Sequence, residues 1–181
     1  MTSDRLALPK DAGGTLETRL VGRPLPDVQL QYAHEAFLSL AGLAGRRSLV
    51  VFFYPATEES MTPDEGLASG VDERRAVAWM GCEEKLQRMG YDVIGVSSQS
   101  AIEQARFASL IPLPFILLSD PELKLSDHPL HLPTTGARSE RVYEPLALVV
   151  RRQEIVRVFH PIDPTYETPL VMRWIRSIER Q

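Results

Sequence analysis

The sequence predicts an α/β fold in which a central mixed sheet is flanked by helices. Three short apolar runs carry this expectation: Ser48-Leu-Val-Val-Phe-Phe-Tyr54, Tyr91-Asp-Val-Ile-Gly-Val96 and Pro145-Leu-Ala-Leu-Val-Val150. Each is rich in β-branched or aromatic residues, the pattern of strands covered on both faces. Helical periods of three and four fall between the runs. A further run, Glu154-Ile-Val-Arg-Val-Phe159, alternates and follows a short polar link, so it reads as an antiparallel hairpin partner of the third.

Taken in order, residues 1–20 read as a flexible tail around Asp11-Ala-Gly-Gly14, and residues 21–181 as a single domain. The turn-rich Gly22-Arg-Pro-Leu-Pro-Asp27 leads into a short alternating stretch, Val28–Gln31. Phe37–Ala44 reads as a helical turn closed by Gly45. After the Ser48–Tyr54 strand, Ala76, Trp79, Cys82, Leu86 and Met89 recur at steps of three and four. They give one apolar stripe on a helix over 72–89, with Asp72 as its N-cap and Gly90 as its stop. A second helix covers Ala101–Leu110 behind the cap-like Ser97-Ser-Gln-Ser100, and Phe115-Ile-Leu-Leu118 is a further strand. Thr165–Ile178 forms the last helix, with Leu170, Trp174 and Ile178 on one side. Strand, helix, strand, helix, strand, hairpin and final helix is a thioredoxin-like order, and its parallel part requires right-handed crossovers.

Composition narrows the function. The 181 residues are 44% hydrophobic and 24% charged with a net charge of −4, which describes one ordinary globular domain. Without a basic excess the chain is not expected to bind nucleic acid. Its longest apolar run, Leu49–Tyr54, is far short of the ~20 residues that span a bilayer. The opening residues lack a secretory apolar core. The single cysteine, Cys82, excludes an internal disulfide and any site of two thiolates, so a reducing cytoplasmic location is expected. No glycine-rich phosphate loop, nucleophile elbow or paired-carboxylate motif is present, and no cofactor is implied. His128-Pro-Leu-His131 with Asp127 lacks a third ligand, and its intervening proline denies it a common helix face, so no metal site is read there. Glu58–Glu65 is a solvated acidic loop, with a lid over a neighbouring pocket as its second reading.

At Val50-Val-Phe-Phe-Tyr-Pro55 the residues become specific. A buried strand ending in Tyr54-Pro55 is followed by a helix ending in Leu86-Gln-Arg-Met-Gly90 and by Val93-Ile-Gly-Val-Ser-Ser98. With Ile111–Leu123, Pro145–Val150 and Val158-Phe-His-Pro161 after them, the chain resembles the peroxiredoxin family, in its bacterioferritin-comigratory, thiol-specific antioxidant branch. The resemblance spans roughly residues 21–178. It implies a cysteine in the first turn of the helix after the Tyr-Pro strand, where the helix N-terminus holds a thiolate that attacks a peroxide. Read by its Thr62-Pro63 motif, the chain puts Glu65 in that place; counted back from Gly90, it puts Asp72 there. Cys82, ten residues after Asp72, falls ~15 Å along the helix and reads as a buried core filler. The family's arginine before the last strand pair is also displaced. Arg141 comes several residues early, and Glu144 stands nearer its position. Pro145 matches the place of the cis-proline common in the thioredoxin superfamily. The expectation is a degenerate peroxidase site over a pocket of Tyr54, Pro55, Asp72, Glu144 and Pro145, serving as a binding or regulatory module or for non-redox chemistry in that pocket. The alternative is a one-cysteine peroxidase that uses Cys82 and an external thiol reductant. A homodimer fits either reading.

Overall fold

The computed structural model describes residues 14–33, 35–55, 71–137 and 140–180, with the backbone alone for residues 14, 15 and 71–73. Glu65, the Glu58–Glu65 loop and residues 1–13 lie outside the described residues. The elements run α1 (Gly14–Leu20), β1 (Gln29–Tyr32), β2 (Ala36–Ser39), α2 (Leu40–Ala44), β3 (Ser48–Phe53), α3 (Val71–Arg88), β4 (Tyr91–Ser97) and α4 (Ala101–Leu110). They continue with β5 (Ile116–Ser119), α5 (Lys124–Asp127), β6 (Thr134–Thr135), β7 (Val142–Tyr143), β8 (Leu146–Arg151), β9 (Glu154–Phe159) and α6 (Pro164–Ile178).

The three apolar runs lie in one seven-stranded sheet of order β2-β1-β5-β4-β3-β8-β9. β3, β4 and β5 are parallel, with Val50 opposite Val93 and Ile94 opposite Ile116. β8 runs antiparallel to β3 and pairs with β9 as the expected hairpin. The parallel strands are apolar on both faces because both are covered. On β3, Leu49, Val51 and Phe53 join one core with α1, α2 and β9 residues, while Val50, Phe52 and Tyr54 join a second core with α3, α4 and α6. Phe52 anchors the second core. Its ring lies 5.7 Å from Trp79 and Tyr54 and 5.8 Å from Phe115. Gly95 on β4 makes room for it, since a Cβ there would meet Phe52 at 2.9 Å and Leu117 at 2.6 Å.

Helix ends follow their local chemistry. Ser100 caps α4 in a reciprocal box with Glu103, Asp163 caps α6, and Gly90 leaves α3 at φ +86°. Three expectations are corrected. The stretch read as a tail ends in α1, where Leu16 and Leu20, four residues apart, are buried in the first core. Phe37–Ala44 divides into β2 and α2, because Ser39 caps a new helix by accepting from the Gly42 N–H. Asp72 is the second residue of α3 rather than its N-cap, since helical geometry already holds at Val71.

Candidate functional site

The end of β3, the start of β8 and the end of β9 meet at one end of the sheet. Antiparallel pairing sets Phe53 opposite Leu146 and Ala147 opposite Phe159, so Tyr54-Pro55, Glu144-Pro145 and His160 emerge together. Tyr54 is buried; its N–H donates to Val96 O at 3.1 Å, and its hydroxyl receives a bond from Gln104 Nε2 at 3.3 Å. Gln104 Nε2 also reaches Ser97 Oγ and Leu118 O, both at 2.9 Å, fixing Tyr54 to the ends of β4 and β5.

Glu144 Oε2 lies 2.8 Å from His160 Nε2, and both side chains are partly exposed. A carboxylate on one ring nitrogen orients the imidazole. Arg141 is engaged on the β6–β7 side. It donates to Asp127, Ser126 and Thr134, pinning the β6–β7 arm to α5. The Glu144–Pro145 bond is trans. The cis bonds among the described residues are His128–Pro129 and His160–Pro161, the latter directly beside the pair.

Arg75, one turn into α3, is a buried cation that the sequence reading passed over. Its Nη2 donates to Phe53 O at 2.9 Å and to Glu167 Oε2 at 2.5 Å, while Trp79 Nε1 donates to Glu167 Oε1 at 2.9 Å. The guanidinium thus ties α6 to α3 and β3. Behind the site, the Tyr143 hydroxyl donates to Asp120 Oδ2 at 2.5 Å. Burial, then the Asp120 charge, pushes the Tyr143 phenol above its ordinary range.

Cys82 does not join this group. It lies eleven residues beyond Val71, about 16 Å along the axis, outside the reach of the helix N-terminus. It is half-buried, not buried as expected. The inward face of α3 passes through Arg75, Ala76, Trp79, Glu83 and Leu86, which leaves Cys82 on its margin. Asp72 lies in the first turn of α3. Among the described residues no three His, Cys, Asp or Glu side chains gather as a metal set; the His128 and His131 rings stack edge to face at 5.8 Å. Sequence reasoning missed Gln104 and His160 as site residues. The second was accessible in principle, because the hairpin register carries the residue after β9 to the start of β8.

Residues 21–159 match the model of the AhpC/TSA family. Chloroplastic peroxiredoxin Q of Oryza sativa subsp. japonica is 34% identical over 125 residues, covering 66% of this chain and 51% of that protein. Peroxiredoxin Bcp of Bacillus subtilis (strain 168) is 30% identical over 107 residues, covering 59% of this chain and 61% of that protein. The matched stretch thus spans about half the length of the rice relative. Among solved structures, a PrxQ mutant of Xylella fastidiosa superposes with a TM-score of 0.72 at 16% identity, covering 88% of this chain and 96% of that one. Peroxidoxin BcpB of Mycobacterium tuberculosis gives 0.72 at 18% identity, with coverages of 88% and 97%. At such identities the structures speak for the thioredoxin-like fold. The family match over residues 21–159 places the chain in the AhpC/TSA family, in its peroxiredoxin Q and Bcp branch.

Proposed function

We propose that this peroxiredoxin-type protein has a degenerate site and reduces peroxide slowly or not at all, acting instead as a binding or regulatory module through the pocket edge of Tyr54, Pro55, Asp72, Glu144 and Pro145. The observation that carries this reading is the place of Cys82, mid-helix and about 16 Å from the start of α3. Peroxide reduction needs a thiolate whose sulfur attacks one peroxide oxygen, leaving a sulfenate and releasing the other oxygen as water or alcohol. A mid-helix thiol on the margin of an apolar face lacks the backbone N–H groups that hold such an anion. Glu144 adds negative charge where the family resemblance implies an arginine. A reducing compartment such as the cytoplasm suits a chain with one cysteine, and among the described residues no helix is long and apolar enough to cross a membrane.

One observation favours the second reading. Cys82 is half-buried rather than sealed, so a small peroxide has access to it. In that case the protein is a one-cysteine peroxidase whose sulfenate is returned to thiol by an external thiol reductant. Peroxide consumption with dithiothreitol, compared between the wild type and Cys82→Ser, separates the two. The degenerate reading expects equal rates near the reductant's own background; a rate that collapses in Cys82→Ser establishes the peroxidase. A second variant, Asp72→Cys in the Cys82→Ser background, moves the thiol to the first turn of α3. Its alkylation by iodoacetamide at neutral pH should be faster than that of the wild type. Equal or slower alkylation would show that Asp72 does not stand in the thiolate's place.

A further inference from the structure

We propose that the cavity between α4 and the β1–β5 pair is a binding site for a small aromatic or aliphatic molecule carrying one hydrogen-bond donor, a phenol or an indole being the simplest case. The cavity has a volume of about 390 Å³, within the range of small-molecule sites, and its walls include Tyr32, Ala105, Ala108, Leu113, Phe115 and Leu117. The lining is mostly apolar, with hydroxyls at Tyr32 and Ser109, and one further polar group, itself buried, is built into it. Gln104 is 4% exposed, and its amide nitrogen is committed to Tyr54 Oη, Ser97 Oγ and Leu118 O. A backbone carbonyl can only accept, so the amide cannot be turned round, and Oε1 is the end that points away from these partners. No described residue donates to Oε1. Nor is it among the sealed, unsatisfied side-chain atoms. It is therefore the acceptor that Gln104 presents to the cavity it lines.

Both observations point to the same ligand chemistry. The walls reward apolar area, and the buried, fixed acceptor of Gln104 rewards one N–H or O–H. The alanines at 105 and 108 leave the space that larger side chains would fill. Gln104 also joins the cavity to Tyr54. A donor on Oε1 polarises the amide and strengthens the bonds its nitrogen makes on the far side.

The test is a proton–nitrogen NMR titration of the full chain, with calorimetry, using indole and benzothiophene, a near-isostere without the N–H. Indole should shift the amides of Ala105, Ala108 and Leu117 and the side-chain amide of Gln104. It should bind about 5- to 10-fold more tightly than benzothiophene, the worth of one hydrogen bond. Ala105→Trp, at an exposed helix position, fills the cavity and should abolish both titrations; Gln104→Met should bring the two affinities together. Equal affinities in the wild type, indole binding that survives Ala105→Trp, or the absence of a saturable shift at these residues would each overturn the proposal. The wild-type comparison decides the matter even where Gln104→Met does not fold.

Discussion

On α3 the chain turns Glu83 inward and leaves its neighbour Cys82 at the margin. The reason is the long side chains at Arg75 and Trp79, whose burial against Glu167 sets the rotation of the helix. Glu83 then loses water. Burial first, and next the charge of Asp92, raise its carboxyl above the ordinary 4.5, with Arg47 opposing and Glu84 adding to the shift. A carboxyl raised in the folded state binds its proton more tightly there than in the unfolded chain. Ionising it therefore works against folding as pH climbs from the ordinary value through the raised one. Glu83→Gln should melt higher than the wild type at neutral pH, and the advantage should shrink as pH falls through that interval and vanish near about pH 4. Calorimetry across that range checks the sign; an advantage that grows on acidification would show that Glu83 is stabilised as an anion.

Among the elements, the strands were readable because fully covered strands leave continuous apolar runs, and α3, α4 and α6 because helical periods are local, although α6 buries Val171, Met172 and Ile175 and leaves the expected side of Leu170, Trp174 and Ile178 only partly covered. β2 and α1 were not readable. Each is short, and β2 keeps Phe37 largely exposed, so neither leaves a periodic signature. The link between α3 and α6 was also hidden, since Glu167 meets its partner Arg75 across 92 positions of sequence. Both side chains are essentially sealed, at 1% and 0% exposure. Removing one member of a buried pair strands the other in a medium that cannot solvate it. Glu167→Ala should accordingly cost about 3–5 kcal/mol in denaturant unfolding. The double variant Arg75→Met with Glu167→Leu should recover most of that loss, because apolar residues of similar volume fill the space without a charge to desolvate. If the double variant is as unstable as the single one, the bonds to Phe53 O and Trp79 contribute more than the ion pair.

At the scale of the whole molecule, strand order converts residues far apart in sequence into one site edge. Tyr54, Glu144 and Pro145 were legible because each adjoins a run that plainly forms a strand. His160 and Gln104 were not, because their roles depend on which strand ends meet and on an amide orientation fixed by three acceptors. The same strand order leaves two outer edges, β2 and β9, and the chain treats them differently. β9 is closed by the chain's own Gly22–Leu25 strap: Gly22 N–H donates to Ile155 O, Ile155 N–H to Arg23 O and Leu25 N–H to Gln153 O, at 2.8–2.9 Å. α1 continues this cover, with Leu16 and Leu20 in the core and Glu17 2.7 Å from Arg157 on β9. An uncovered strand edge presents unpaired N–H and C=O groups that recruit another strand. Deleting residues 1–25 should therefore lower the melting temperature and produce association that grows with protein concentration, measured by light scattering. Leu20→Ala separates the two effects. It should cost about 2–5 kcal/mol of core packing yet keep the size of the full chain, because the strap's backbone bonds remain. If the truncated chain keeps that size at every concentration, the strap contributes packing alone, and β9 is protected by its own side chains.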